Sequence, residues 1–359
     1  MRTKITKNAL AGQRIFVGLD THKKDFKVTI MAEDVFCKTF SAPPSAQKLV
    51  DHLHENFPGA EYFSAYEAGF SGFWLHRQLT ALKVKNIVVN PADIPTTDKE
   101  RKQKEDKRDS RKIAKELQLG RLRSIYIPTD KTLQDRILIR TRDAVVKETR
   151  RTKQRIKSFL YFFGIHFPEQ FTDRNKHWSN NFIKWLESIS FEQESAKHAL
   201  QIHVNTLQNH RQTLLQTNRQ IRALSRSGMY KENVELLVSI PGYGVLTAMR
   251  ILTELETIER FKSQNKIDSF LGLVPSTRSS SDTERVSGVT PRANPFLRSA
   301  LIESAWVAIR NDPALMSKYL HFRKRMDENK AIIRIAKTLL HRTVHLLRKK
   351  EKYEKNVAK

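Results

Sequence analysis

The sequence predicts an α/β domain followed by an all-α remainder. Three observations carry that prediction. Short β-branched and aromatic runs alternate with amphipathic stretches through the first 90 or so residues. Glycine and proline then almost vanish between about 130 and 235, where leucines recur every seven residues. Beyond 236 the apolar spacing is again helical, broken by one serine-rich stretch.

Taken in order, Arg14–Leu19, Phe26–Met31 and Val35–Phe40 are strand-like runs a few polar residues apart, hence hairpin neighbours. A helix is expected over Ser45–Asn56, a strand over Tyr62–Tyr66, a helix over Ser71–Leu82 and a strand over Asn86–Val89. Asn90-Pro91 closes that strand, because the residue before proline is pushed out of the helical region. Arg101–Leu119 reads as a helix and Ser124–Ile127 as a last strand. Three meandering strands followed by alternating helix and strand is the order of a ribonuclease-H-like sheet. A dinucleotide-binding fold would alternate from the start, and no Gly-x-Gly-x-x-Gly is present.

In the middle region Leu200, Leu207, Leu214 and Ile221 are spaced by seven, as are Leu138, Val145, Thr152 and Phe159 more weakly. Pro128, Gly164 and Pro168 bracket the first helix. Two long helices are expected, packed as a hairpin, as a dimer arm or as an ordinary amphipathic core stripe, with Phe159–Phe163 as an aromatic plug. Arg211 and Asn218 interrupt the second apolar row. In the last region helices are expected at Val245–Glu256, Pro295–Arg310, Pro313–Glu328 and Ala331–Arg348, with a polar loop between Pro275 and Asn294. The domain boundaries that follow are 14–128 for the α/β domain, 129–235 for a helical coiled-coil arm, 236–348 for a helical domain and 349–359 for a solvated basic tail.

The chain has 359 residues with 65 Lys+Arg against 38 Asp+Glu, a formal charge of +27. Like charges in that excess repel in the compact state, so a polyanionic partner is implied, and nucleic acid is the default. A membrane is excluded on length: the longest uncharged stretch, Leu236–Met249, has 14 residues and contains Pro241, Gly242 and Gly244. No apolar run follows Met1–Lys4, and the single cysteine, Cys37, excludes a disulfide framework or a thiolate zinc site. A cytoplasmic, nucleoid-associated location is therefore expected, with Cys37 filling space on a strand.

Asp106 and Asp109 lie in a twelve-residue run, RKQKEDKRDSRK, with seven basic and three acidic residues. Three apart on a helix, they share a face. A lone pair of this kind is ordinarily a solvated surface. Its company changes the weighing. Asp20 ends the first strand, after Gly18, and Glu67 ends the fourth. In a ribonuclease-H-like sheet those two strands are adjacent and parallel, so the acids would meet. A helix packed over them could add Asp106 and Asp109. Four carboxylates offer the hard oxygen ligands that Mg²⁺ takes in phosphodiester chemistry. Glu61 and Asp25 fall where alternation or a turn points them elsewhere.

Ser276, Ser279, Ser280 and Ser281 form a cluster that ordinarily would be solvated loop hydroxyls. Arg278, Arg285, Arg292 and Arg298 nearby suit a phosphate-gripping surface. Gly242 and Gly244, in PGYG before a helix, would let backbone amides approach a phosphate; the alternative is a tight turn before a buried helix. His22, His76 and His166 are isolated and receive no role, and Trp74, Trp178, Trp185 and Trp306 read as packing.

Set side by side, these segments resemble the DEDD-type recombinases, which include the pilin-gene invertase Piv and the insertion-sequence one-ten and eleven-eleven transposases. GLDTHKKDF (Asp20), YEAGFSGFWL (Glu67) and KEDKRDSRKIAKEL (Asp106, Asp109) carry the N-terminal likeness. SIPGYGVLTAMRILTEL, RFKS, FLGLVP, the serine cluster and ANPFLRSALIESAW carry the C-terminal one. The resemblance implies a RuvC-like domain binding Mg²⁺ through the four acids, a coiled-coil arm, and a helical domain with a nucleophilic serine. It implies a composite site across a homodimer or tetramer, and a phosphoserine link to DNA during strand exchange. It also implies an element-encoded guide RNA pairing with donor and target DNA. The family's serine precedes a glycine, and Ser281 stands in that place here, which selects Ser280, with Ser279 the alternative. Two other glycines usual in the loop are replaced by Ser287 and Ala293.

The leading expectation is thus an RNA-guided DNA transposase using Asp20, Glu67, Asp106, Asp109 and Ser280. The alternatives are a metal-dependent junction nuclease in which the serines only grip DNA, and an inactive nucleic-acid-binding relic.

Overall fold

The computed structural model describes residues 12–95, 106–280, 283–289 and 293–355. The chain divides into two compact units, Met1–Ile127 and Pro128–Lys359.

The first unit is built on β1 (Arg14–Thr21), β2 (Phe26–Ala32), β3 (Val35–Ala42), α1 (Ala46–Asn56), β4 (Glu61–Glu67), α2 (Trp74–Ala81), β5 (Lys85–Val89) and α3 (Asp106–Gln118). The strands form one sheet in the order β3-β2-β1-β4-β5. β1, β2 and β3 meander antiparallel, whereas β1–β4 and β4–β5 are parallel. Ser124 contributes only an isolated bridge to Val89, so the expected strand over Ser124–Ile127 does not form. Ser45 caps α1 by accepting from the Lys48 amide.

Strand alternation sorts the side chains onto two faces. Ile15, Val17, Leu19, Tyr62 and Tyr66 pack with Leu49, Leu53, Leu75 and Leu79 of α1 and α2. Phe16 faces the other way, with Met31 and Phe63, against Ala114 and Leu117 of α3. Cys37 is half-buried on β3, and that burial pushes its thiol pKa up.

The second unit opens with α4 (Asp130–Phe162), followed by α5 (Asn180–Ser188), α6 (Glu194–Ser225), α7 (Lys231–Val238), α8 (Val245–Leu255) and α9 (Gln264–Leu271). Then come β6 (Pro275–Ser280), β7 (Thr283–Val289), α10 (Pro295–Asn311), α11 (Pro313–Arg323) and α12 (Glu328–Lys349). Ile139 and Ile221 join the large core of α7–α12, while Ile156 and Leu160 share a second core with Leu200, Val204 and Leu207. The start of α4 therefore lies by the end of α6, and the two form an antiparallel hairpin within one chain. Of the seven-residue series, Leu200, Leu207 and Ile221 are buried and Leu214 half-buried. Asn218, which interrupts the apolar row, accepts from Arg142 Nε at 3.0 Å, so the polar break is satisfied across the seam.

Three expectations for this unit are corrected. The stretch after Pro275 is a two-stranded antiparallel hairpin, not an irregular loop: Thr277 pairs with Val286, a cross-strand pair of β-branched residues that suits a ladder. The helix expected over Pro313–Glu328 stops at Arg323, and α12 starts at Glu328 rather than Ala331. Lastly, the chain beyond α12 does not run free. Lys350 turns it at φ 59°, the Tyr353 amide donates to Ser239 Oγ at 2.8 Å, and the Arg342 guanidinium lies 4.9 Å from the Tyr353 ring.

Candidate functional site

Leu19 pairs with Tyr66 in the parallel register of β1 and β4, so Asp20 and Glu67 are the next residues along two adjacent strand ends. Both continue the alternation that sends Phe16 and Phe63 to the α3 side of the sheet. Thr21 Oγ1 lies 3.0 Å from Ser71 Oγ, tying the end of β1 to the turn after β4. Buried Tyr66 donates to the Gly72 carbonyl at 2.9 Å and accepts from the His76 amide at 3.3 Å, and its burial raises the phenol pKa to about 12. The turn that follows Glu67 is thereby held to the sheet.

Gly18 determines how α3 crosses these strands. A Cβ built on it would stand 2.1 Å from the Ser110 carbonyl oxygen and 2.4 Å from the Ala114 amide nitrogen. Only glycine admits a helix backbone so close. Ser110, fully buried, shares a hydrogen bond of 2.9 Å with Thr29 Oγ1 of β2. Ala114 and Leu117 lie by Phe16, and Ser110 lies by Gly18, so α3 runs antiparallel to β1. Its first residues therefore point toward the strand ends that carry Asp20 and Glu67. Asp106 is the first residue of α3, and Asp109 is half-buried one turn on. The Asp106 side chain lies outside the described residues.

The structure thus brings three of the four expected acids, with the backbone position of the fourth, to one end and one face of the sheet. Among the described side chains, no three His, Cys, Asp or Glu stand close enough together to hold a metal ion. The donor set nonetheless suits Mg²⁺ in kind, being all carboxylate oxygen. Asp25 and Glu61 are engaged elsewhere, as expected: Asp25 pairs with Lys27 at 2.5 Å, which lowers its pKa, and Glu61 pairs with Lys85 at 2.9 Å. His22, to which the sequence assigned no role, donates from Nε2 to Asp20 Oδ2 at 3.1 Å. The signal was the Asp-x-His spacing, which on a strand puts both residues on one face.

In the second unit, Ser280 is the last residue of β6 and pairs with Thr283, and Ser279 pairs with Glu284. Arg278 stands directly opposite Arg285 in that register. Arg298 is half-buried in the first turn of α10, and Arg292 and Ser281 lie outside the described residues. Gly242 is used differently from the phosphate grip expected of it. It has φ +87°, and a Cβ there would stand 2.3 Å from the Ser304 carbonyl oxygen of α10, so its freedom serves a helix contact. Pro241 and Tyr243 are buried, leaving Gly244, at the N-cap of α8, as the exposed residue of that turn.

A set of buried carboxylates near the hairpin escaped the sequence reading. Glu254, 2% exposed, accepts from Arg140 Nε at 2.7 Å and Nη2 at 2.9 Å, and from Asn294 Nδ2 at 2.8 Å. Asn294 caps α10 through the Leu297 amide and donates its own amide to Phe270, so Glu254 anchors the residue where the chain leaves the serine segment. Asp268, fully buried, is met by Lys337 at 2.9 Å and His341 at 3.1 Å. Their signal was present: Glu254 sits inside an otherwise apolar run, where an acid needs a partner.

The chain matches two family profiles in non-overlapping segments. Residues 17–164 match a DEDD-type profile described as Transposase, and residues 234–321 match one described as Transposase IS116/IS110/IS902 family. Among named relatives, the transposase y4qE sequence of Sinorhizobium fredii is 28% identical over 273 residues, which are 76% of this chain and 64% of that protein. The transposase for insertion sequence element IS1533 of Leptospira borgpetersenii is 24% identical over 305 residues, covering 82% of this chain and 85% of that one. The transposase for insertion sequence element IS1111A of Coxiella burnetii is 22% identical over 284 residues, covering 78% and 74%. No helix among the described residues is long and apolar enough to cross a membrane. With a ribonuclease-H-like strand order, acids gathered at one end of its sheet, and both profiles met in the expected order, the chain belongs to the IS110 family of transposases.

Proposed function

We propose that this protein cuts and rejoins DNA strands as the transposase of an insertion sequence. In this proposal Asp20, Glu67, Asp106 and Asp109 hold Mg²⁺, and Ser280 is the nucleophile. The observation that carries it is the arrival of Asp20 and Glu67 on adjacent parallel strand ends, on the face crossed by the helix that begins at Asp106. When bound, the metal would orient a scissile phosphate and offset its charge.

The chain's own residues do the rest. Gly18 sets the helix down on β1, so that Asp109 is carried by rigid backbone. His22 holds Asp20 in one orientation through its hydrogen bond. Ser280 Oγ forms a bond to phosphorus as one P–O bond to deoxyribose breaks; the serine proton passes to a base and the departing oxygen is protonated. The opposed Arg278 and Arg285 positions favour an anion there, because like charges directly across a ladder repel without one. Glu254, through Asn294, supports the return of the segment into α10. The serine would be restored when a hydroxyl of the other strand displaces it. A guide RNA encoded by the element, a homodimeric or tetrameric assembly and a cytoplasmic site on the nucleoid complete the proposal; the +27 charge supports the nucleic-acid partners.

A second reading has its own observation. All four acids belong to Met1–Ile127 and the serines to the other unit, so metal-dependent cleavage could proceed without a serine. Trapping on a suicide DNA substrate with Mg²⁺ decides. The proposal expects a covalent protein–DNA adduct that Ser280→Ala loses and Ser279→Ala keeps, and that chelation of Mg²⁺ abolishes. Cleavage surviving both substitutions selects the metal-only nuclease. Binding without cleavage in the wild type would leave the nucleic-acid-binding relic.

A further inference from the structure

The far end of the α4–α6 hairpin carries a patch that the proposed chemistry does not use. Tyr161 and Phe162, consecutive at the end of α4, are 83% and 81% exposed, and Phe163 is 45% exposed. Monomeric soluble proteins rarely leave contiguous large rings in water without a use for them. The two phenylalanine rings are also held in place. Phe162 meets Phe163 edge-on at 5.2 Å, and Phe163 packs on Phe159 at 4.9 Å and on Phe191 at 5.3 Å, within the distal core. Gly164, at φ +65°, then ends the helix just beyond them. Tyr161, Phe162, Lys157 and His166 border one cleft of about 690 Å³.

Cations gather beside the rings. Lys153 and Lys157 both lie over the Trp178 ring, at 5.3 and 5.9 Å. Burial first, then the like charges of Arg211 and Lys157, lower the Lys153 pKa, so this part of the surface is crowded with positive charge. A second copy of the same arm would bring the same cations against these, which disfavours self-association there. A polyanion with flat apolar faces answers both features at once.

We propose that the distal end of the hairpin is a platform for single-stranded nucleic acid, with unpaired bases stacking on Tyr161 and Phe162 and the flanking phosphates met by Lys153, Lys157 and Arg211. Every base has a stacking face, so such a platform accepts varied sequence, and the cations track the backbone. Duplex is a poor fit, because its bases are already stacked on one another. The proposal rests on the nucleic-acid reading above but on neither its acids nor its serine.

The test uses the full chain and a labelled mixed-sequence single strand, made as DNA and as RNA, with the DNA duplex of the same length as control. The double substitution Tyr161→Ala/Phe162→Ala should weaken single-strand binding by about tenfold or more and duplex binding by less than about twofold. Whichever of the two strands loses more identifies the natural occupant. Tyr161→Phe, which keeps the ring, should bind as the wild type does. A strand containing 2-aminopurine should change its fluorescence on binding wild type, which reports stacking without any variant. Equal losses on strand and duplex, or an unchanged 2-aminopurine signal, overturn the proposal. So does a wild-type dimer that the double substitution converts to monomer while strand affinity stays the same. Affinity is read without Mg²⁺ and without cleavage, so failure of the catalytic reading, which is scored by Mg²⁺-dependent cutting, would be seen separately.

Discussion

Replacing Gly18 by alanine adds one methyl group at the point where α3 crosses β1. That carbon would stand 2.1 Å from the Ser110 carbonyl oxygen, 2.4 Å from the Ala114 nitrogen and 3.0 Å from the Ala114 Cα, all of them helix backbone. No side-chain rotation relieves such contacts. The helix must lift by about 1 Å, and overpacking of this kind costs about 1–3 kcal/mol. Lifting also stretches the buried Ser110–Thr29 hydrogen bond, now 2.9 Å, and loosens Ala114 and Leu117 from Phe16. For a domain of this size the loss lowers the melting temperature by roughly 5–15 °C. The effect on chemistry should be larger in proportion, because α3 carries Asp106 and Asp109 while β1 carries Asp20. A displacement of about 1 Å between reacting groups costs on the order of 100-fold in rate. Circular-dichroism melting and Mg²⁺-dependent cleavage of the suicide substrate, read on the same preparation, check both. A Gly18→Ala protein that melts and cleaves as the wild type does would refute the close crossing and, with it, the gathering of acids derived from it.

Gly242→Ala combines a clash of 2.3 Å with the Ser304 carbonyl and a backbone at φ +87°, so a loss of about 2–4 kcal/mol is expected in urea unfolding. Single-strand binding by the folded fraction should be unchanged. Glu254→Ala removes the partner of Arg140 and Asn294 at a buried position and should cost about 2–4 kcal/mol. Glu254→Gln, which keeps an acceptor for one of them, should cost less, and equal losses would argue against the charge-assisted pair. Affinity for duplex DNA should fall steeply with salt, the slope of log K against log salt being steeper than about −3, because neutralised phosphates release counterions. Titration by fluorescence anisotropy at several salt concentrations measures it.

Much of this was legible in the chain because the signals were local. Pro128 stands just before the first long helix, and Pro295 and Pro313 open two later ones, as expected of a residue whose fixed φ suits a helix start. The strand order followed from three short runs preceding any helix. The serine segment was misjudged because a two-stranded ribbon of Ser, Thr and Arg has no hydrophobic alternation strong enough to announce itself. The tail was misjudged for a related reason: Lys-rich composition reads as solvated, while Tyr353 docks through contacts with Ser239 and Arg342 remote in sequence.

Amino-acid order alone determined the class of the fold, the excess of positive charge and the identity of four acids and a serine as the groups to watch. Only tertiary structure decided that Gly18 is a crossing point, that Gly242 is a helix contact, that His22 steadies Asp20 and that Glu254 braces the serine segment. The reason is physical. Periodicity, capping and charge are properties of neighbours along the chain, whereas each of these four is a contact between residues distant in sequence, and such contacts exist only once sheet register and helix crossing are set.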